Sequence, residues 1–340
     1  MLMRNGGTLV LAIAMASGVF ACGGQEETGQ GNPAGEEGIG EMDASPGLPE
    51  GAQAISFLGE PLFPPELTPE VQARREQQLG EALKALEADP EGVEAFIWAG
   101  RRQAYLGEYR EAIETFTRAI ALHPDDARLF RHRGHRYISV RELEKALQDF
   151  MIATELIEGG EDEIEPDGQP NAAGYPTSTL HFNIYYHYGL AHFIAGDFEE
   201  AEPIYRACMD ASVHPDSKVA TAHWLYMTLR RSGKNDEARE FILGLDLEEW
   251  APEVIESGAY LDLLRMYQDG ERAQDNPMPD MDPTTMDGSA LSYGVGNFLF
   301  YNGLEDQARA VFEKITSAQG QWASFGYIAA EADLARLRVP

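Results

Sequence analysis

Internal repetition constrains this chain more than any other feature. Residues 93–126 read VEAFIWAGRRQAYLGEYREAIETFTRAIALHPDD, and the 34 residues after them read ARLFRHRGHRYISVRELEKALQDFMIATELIEGG. Both place an aromatic at the fourth position, Phe96 and Phe130, and glycine at the eighth, Gly100 and Gly134. Alanine recurs at the twentieth and twenty-seventh positions (Ala112 with Ala119, Ala146 with Ala153), and Phe116 and Phe150 share the twenty-fourth. Such a unit is two antiparallel helices: the small residues let the helices approach, and the large ones fill the holes. One unit cannot bury its own apolar face, so neighbours must stack into an array.

Further copies start near Phe182 (Tyr185, Gly189, Gly196, Ala201 and Tyr205 in register), near Val219 (Leu225, Gly233, Ala238) and near Ser289 (Gly296, Gly303, Ala308, Phe312). Near Glu256 the pattern weakens. Tyr260 and Gly270 fit, but the second helix gives way to NPMPDMDPTTMDG, whose prolines break a helix. Thr68-Pro69 reads as an N-cap followed by proline at the first helical position, opening a helix to about Leu86. At the other end, QWASFGYIAAEADLARLRV reads as a closing helix.

This spacing resembles the tetratricopeptide repeat over roughly residues 66–340. The resemblance implies an all-α, right-handed α-solenoid of about six tetratricopeptide-like helix pairs at residues 67–340, with a disordered N-terminal tether. Two segments interrupt the register: an acidic insertion at 158–178 and a Pro/Asp-rich loop at 275–288.

The N-terminus reads as an address. Arg4 precedes an apolar stretch from Thr8 to Phe20, too short to span a bilayer as a finished helix. Val19-Phe20-Ala21-Cys22 resembles a bacterial lipobox, which implies a signal peptide at 1–21 and a lipid on Cys22. The other reading is an ordinary secretory signal with an incidental cysteine. Gly23 follows the cysteine. With no aspartate there, the resemblance implies the outer membrane, facing the periplasm. Residues 22–66 then form an acidic flexible tether: residues 23–66 hold nine acids and no Lys or Arg, with recurrent glycine and proline.

The chain carries a net charge of -31, which excludes nucleic acid as a general partner. Against that background RLFRHRGHRY, residues 128–137, gathers four arginines and two histidines, and residues 101–145 hold ten Lys plus Arg against seven Asp plus Glu. Arg128, Arg131, His132 and His135 are spaced i, i+3, i+4, i+7 and share one helix face. In the tetratricopeptide family that face lines a concave groove. The same positions elsewhere supply Arg101, Asn183, Tyr186, His187, His223, Trp224, Met227, Arg230, Tyr293, Asn297 and Tyr301. Guanidinium forks bind carboxylate or phosphate in bidentate fashion, and aromatic faces add apolar area. Asn297 fits the position at which some family members hold a peptide's terminal carboxylate, but the lysines of that clamp are not reproduced.

Two destinations for this charge stay open. One is a ligand's anionic group. The other is internal pairing, with the acidic insertion folded over the groove and Arg133, at a core position, joined to Asp149 or another acid. The eight histidines invite a zinc site, but no HExxH and no clustered cysteine accompany them. His181 and His192 read as packing or capping residues, Asp280, Asp282 and Asp287 as a plain acidic loop, and Cys208 as a small buried residue. No nucleophile elbow, phosphate loop or dinucleotide fingerprint appears. The sequence therefore points to a non-enzymatic, membrane-anchored scaffold without a cofactor, touching the membrane only through its lipid. It would bind a protein or peptide with an anionic group in a basic, aromatic groove. The alternatives are a binding protein for a small anionic ligand and a histidine-based metal-dependent enzyme.

Overall fold

The Thr68 hydroxyl accepts from the Val71 amide and Pro69 opens the helix, so α1 runs Pro69–Ala88. The structure, a computed structural model, describes residues 48–171, 173–271 and 282–338. Antiparallel pairs follow: α2 (Val93–Leu106) with α3 (Tyr109–Leu122), α4 (Ala127–Ser139) with α5 (Leu143–Ile157), α6 (Leu180–Ala195) with α7 (Phe198–Ala211), and α8 (Pro215–Arg231) with α9 (Asn235–Gly244). A single turn, α10 (Leu247–Trp250), leads to α11 (Gly258–Glu271), and α12 (Met286–Tyr301) pairs with α13 (Glu305–Ser317) before the final α14 (Phe325–Arg338). Where about six pairs were expected, the described residues hold five pairs and the single α11. The stretch after α11, residues 272–281, lies outside the described residues.

The repeat positions show why the helices pair. A Cβ on Gly100, Gly134, Gly189 or Gly296 would stand within 3 Å of the ring of Phe116, Phe150, Tyr205 or Phe312. The eighth position must therefore be small because the twenty-fourth is aromatic. In the repeat starting at Val219 the sizes are exchanged. Tyr226 takes the eighth position and Ile242 the twenty-fourth, both fully buried. Total volume across the helix interface is thereby kept, which is what close packing demands.

The fifteenth position turns the chain between paired helices and lies in the left-handed region. Gly107, Gly196, Gly233 and Gly303 occupy it with φ between 74° and 93°. In the second repeat the same position is Arg141, at φ 67°. A side chain there costs about 1 kcal/mol relative to glycine. What Arg141 does with its side chain explains the exception. Its Nε and Nη2 donate to the two carboxylate oxygens of Glu331 at 3.2 and 2.7 Å, Nη2 also donates to the Trp322 carbonyl at 2.8 Å, and the pair is buried.

Glu331 belongs to α14, which is apolar or buried on every side from Gly326 to Leu334 and packs against α6, α12 and α13. It is a central helix more than a cap. Asp333, two residues on, takes two hydrogen bonds from Arg231 at 2.8 and 3.0 Å, one from Tyr293 at 2.9 Å and one from Arg336 at 2.6 Å. Arg231, with Arg336 behind it, holds the Asp333 carboxyl below the usual range against the cost of burial.

The tether boundary moves. Residues 48–66, assigned from composition to the tether 22–66, are part of the folded unit. β1 (Ala54–Ile55) pairs antiparallel with β2 (Pro61–Leu62), Ala54 and Leu62 are buried in the main core, the Phe57 amide donates to Glu331, and the Phe63 carbonyl accepts from Trp322 Nε1 at 2.6 Å. A short apolar patch finds an existing surface to pack on, so low composition-wide hydrophobicity does not decide its fate. Residues 1–47, with the signal segment and Cys22, lie outside the described residues, as do 275–281 of the Pro/Asp-rich loop.

Candidate functional site

The four arginines of RLFRHRGHRY meet different ends. Arg128 pairs with the carboxylate of its own N-cap, Asp126, at 2.6 Å and with Glu94 at 2.5 Å. Arg133 makes a two-pronged contact with Asp149 at 2.8 and 2.7 Å, the internal pair the core position suggested. Arg131 meets Glu165 of the acidic insertion at 3.1 Å. Arg136 has no carboxylate on it among the described residues; its guanidinium lies 5.4 Å from the centroid of Tyr109.

The insertion does fold over the array. Its backbone pairs with the chain entering α6: the Glu165 amide donates to the Ser178 carbonyl and the Leu180 amide to the Glu163 carbonyl. Arg102 Nη1 donates to the Gly168 carbonyl at 3.0 Å. A Cβ on Gly168 would fall 1.4 Å from the Tyr105 hydroxyl, so any larger residue would displace the Tyr105 or Arg101 side chain. This fastening aims Glu165 inward, where Arg131 stands at 3.1 Å, His132 at 3.7 Å and Arg101 at 4.0 Å, and where Asn183 donates to it at 3.1 Å.

Behind Glu165 lies a cavity of about 140 Å³ lined by Arg101, Ala104, Tyr105, Phe116, Arg131, His132, His135 and Arg136. Its charge does not balance. Of its three guanidiniums, those of Arg101 and Arg131 share the Glu165 carboxylate, and that of Arg136 has none beside it. The histidines add no charge, because burial holds His132, His135 and His187 well below the usual imidazole range, and Arg131 and Arg136 push the same way. Arg131 Nη1 donates to His132 Nδ1 at 2.9 Å, which places the His132 proton on Nε2, toward Glu165. Burial pushes the Arg136 guanidinium down to about 10, with Arg131 and Arg101 adding to the shift. It stays charged at neutral pH, with the Tyr109 ring and no carboxylate beside it.

His135 is also a wall of a second cavity, about 340 Å³, bounded by Tyr186, Tyr260, Phe325, Ala259 and Ala290, with Glu256 and Asp287 at its exposed rim. The His135 ring lies 4.3 Å from His187 and 5.3 Å from Phe325, centroid to centroid. A third cavity, about 300 Å³, opens between the insertion and α2, and shares Arg101 and His132 with the basic one. The concave face thus holds three neighbouring cavities with shared lining residues. The insertion and α14 occupy the rest.

Several expected groove residues are elsewhere. Met227 is fully buried core. Tyr293 and Asn297 are fully buried under α14: Tyr293 donates to Asp333, and Asn297 Oδ1 accepts from Arg231 at 2.8 Å. Asn297 therefore cannot clamp a peptide carboxylate. Arg230 pairs with Glu271 and lies 4.3 Å from the centroid of Tyr301. His223 is fully buried, stacked on Tyr260 at 4.6 Å, and burial pushes it down to about 3. Trp224 donates to the Tyr186 hydroxyl at 2.8 Å and supports the second cavity from below. Sequence reasoning missed Tyr105, Arg136, Glu165, Tyr260 and Phe325 as lining residues. Arg136 stood in the quoted stretch, one position past the expected face. Tyr260 stood at the fifth position of the weak repeat near Glu256, equivalent to Arg131, and no signal marked Phe325. Among the described residues no three His, Cys, Asp or Glu side chains are grouped as a metal would need. No described helix is long and apolar enough to cross a membrane.

Paired helices in a 34-residue register, left-handed at each fifteenth position, define an all-α array of the tetratricopeptide kind. The tetratricopeptide repeat family pattern matches residues 101–129 and 182–212. No curated protein matches the sequence. Among solved structures, MamA is similar at 18% identity over 51% of this chain and 86% of its own, with a TM-score of 0.40. A tetratricopeptide repeat protein from Parabacteroides merdae matches at 17% identity over 75% and 92%, TM-score 0.41. YrrB, described as a tetratricopeptide protein with an unusual peptide-binding site, matches at 16% over 71% and 95%, TM-score 0.38. Likeness this distant says nothing about a shared ligand.

Proposed function

We propose that this chain is a protein-interaction scaffold that binds an anionic group of a protein or peptide at Arg101, Arg131 and Arg136. One observation carries the reading: the Arg136 guanidinium, with the Tyr109 ring but no carboxylate beside it, on the wall of a cavity whose other two arginines share Glu165. Arg136 is only partly exposed, and a carboxylate or phosphate entering the cavity would give its charge the acid it lacks. The net charge of -31 makes such a local excess harder to explain as solvated surface. The lipobox-like Cys22 supports a further part of the reading, attachment to an envelope membrane by lipid.

The test is binding of fluorescein-labelled peptides carrying Asp, Glu or phosphoserine to the full-length protein, against their Asn, Gln and Ser counterparts. Arg136→Gln should weaken the acidic peptides about tenfold or more, the size of a charged hydrogen bond, and leave the helical signal intact. Equal binding of acidic and neutral peptides sinks the reading. Cys22→Ser should release the protein from membranes, and retention in the membrane fraction removes the lipid from it. A second reading, a small anionic ligand, draws on the division of the concave face into cavities; a free dicarboxylate or phosphate competing fully with the peptides would favour it.

A further inference from the structure

The second cavity is not accounted for by an anion. It is several times the size of an ordinary packing void, and it is walled by the rings of His135, Tyr186, Tyr260 and Phe325. An apolar cavity of about 150 Å³ already accommodates benzene, so roughly 340 Å³ holds a large side chain with part of its backbone. No Lys or Arg lines it, whereas Glu256 and Asp287 stand exposed on its rim. The Tyr186 hydroxyl is already engaged by Trp224, and the amides of Ile255, Glu256 and Ser257 are all capped by Asp216. The walls therefore ask for an apolar occupant, while the rim asks for a positive one.

His135 stands between the two cavities, as a residue of both linings. Among the described residues no hydrogen bond engages its imidazole, whose ring packs 4.3 Å from that of His187. The order of chemistry along the concave face is then arginines, imidazole, aromatic rings, carboxylates.

We infer that the site reads a short segment of a partner in which an acidic group is followed by a large apolar residue and then a basic one. The acid sits at Arg101, Arg131 and Arg136, the apolar side chain enters the cavity beside Phe325, and the base meets Glu256 and Asp287. This rests on the anion reading above and adds the neighbouring subsites to it. Glu256 and Asp287 also reject a second acid after the apolar residue, which gives the site its selectivity among the many acidic segments of a proteome.

The experiment uses the full-length protein and N-acetylated, C-amidated fluorescent peptides with the core Asp-Phe-Lys, or Lys-Phe-Asp for the opposite chain direction. In the direction that binds better, Ala for Phe should weaken binding about tenfold or more, as expected for burying one aromatic side chain. Asp for Lys should weaken it further, and Asn for Asp should weaken it through the arginines. Ala290→Phe fills the cavity from α12, and Ala259→Phe fills it from α11, which guards against a packing defect at either position. Each should erase the Phe-over-Ala preference and keep the Asp-over-Asn preference. If Phe and Ala peptides bind equally to the unaltered protein while Asp still beats Asn, this inference falls and the anion reading stands. If Asp and Asn bind equally and Arg136→Gln has no effect, the anion reading falls and takes this one with it. Absence of binding in both directions up to millimolar peptide overturns both.

Discussion

Replacing Glu331 by Gln should unlock the closed form of the array, and the structure sets the size of the effect. The carboxylate is fully buried and accepts from Arg141 at 3.2 and 2.7 Å and from the Phe57 amide, so it joins the α4–α5 turn, α14 and the N-terminal hairpin. The amide keeps one acceptor oxygen, turns a donor toward a donor, and strands the Arg141 charge. Breaking a buried pair from one side costs about 3–5 kcal/mol. Arg141→Gly strands the opposite charge but relaxes the left-handed turn at φ 67°, recovering about 1 kcal/mol, so its cost should be smaller. The double variant Arg141→Gly/Glu331→Gln buries no charge and should be more stable than Glu331→Gln alone, with a coupling of at least about 2 kcal/mol. Urea unfolding followed by far-ultraviolet circular dichroism gives all four stabilities. Tryptophan fluorescence adds a local readout, because the Arg141 guanidinium lies 5.3 Å from the Trp322 ring. Costs that add within about 0.5 kcal/mol would show that the two side chains do not act as a pair.

Three other outcomes are expected. His132, His135, His187 and His223 are all held neutral by burial, the last with its pKa pushed down to about 3. The unfolded chain therefore binds more protons below about pH 6.5, and stability should fall as pH drops from there toward 3, by about 1.4 kcal/mol per pH unit for each histidine involved. His223→Phe should reduce that slope by one proton's worth, and an unchanged slope in urea titrations across the window would place His223 in contact with solvent. Cys208 is fully buried, its thiol pushed up to about 12 by burial, so it should resist a thiol reagent in the native state and react only on unfolding; prompt labelling without denaturant would contradict the packing of α7 on α8. Gly296→Ala would set a Cβ 2.5 Å from the Phe312 ring and should destabilise by about 1–3 kcal/mol, whereas Gly296→Ala with Phe312→Leu should recover most of it in thermal melts.

Two kinds of information in the sequence proved unequal. Periodicity reported helix pairing faithfully, because the contacts between Gly100 and Phe116 or Gly134 and Phe150 are local and recur with the repeat. The same logic placed Arg133 on Asp149, one repeat position against another within a single unit. Composition was a weaker guide: it assigned residues 48–66 to a tether, although a few apolar side chains there had a surface waiting for them.

The groove was legible only in part. Repeat register brought Arg101, Arg131, His132 and His135 together, since the last three share one face of α4 and Arg101 holds on α2 the repeat position that His135 holds on α4. It did not show that α14 returns to bury Tyr293 and Asn297, or that Glu165 enters from the insertion. The sequence by itself determined the helix pairs, their register and the face on which positive charge would gather, because each depends on contacts within one or two repeats. Tertiary structure decided how much of that face stays empty. Whether Arg136 is left without an acid depends on where the insertion, about 30 residues on, and α14, about 190 residues on, come to rest, and no local pattern encodes that.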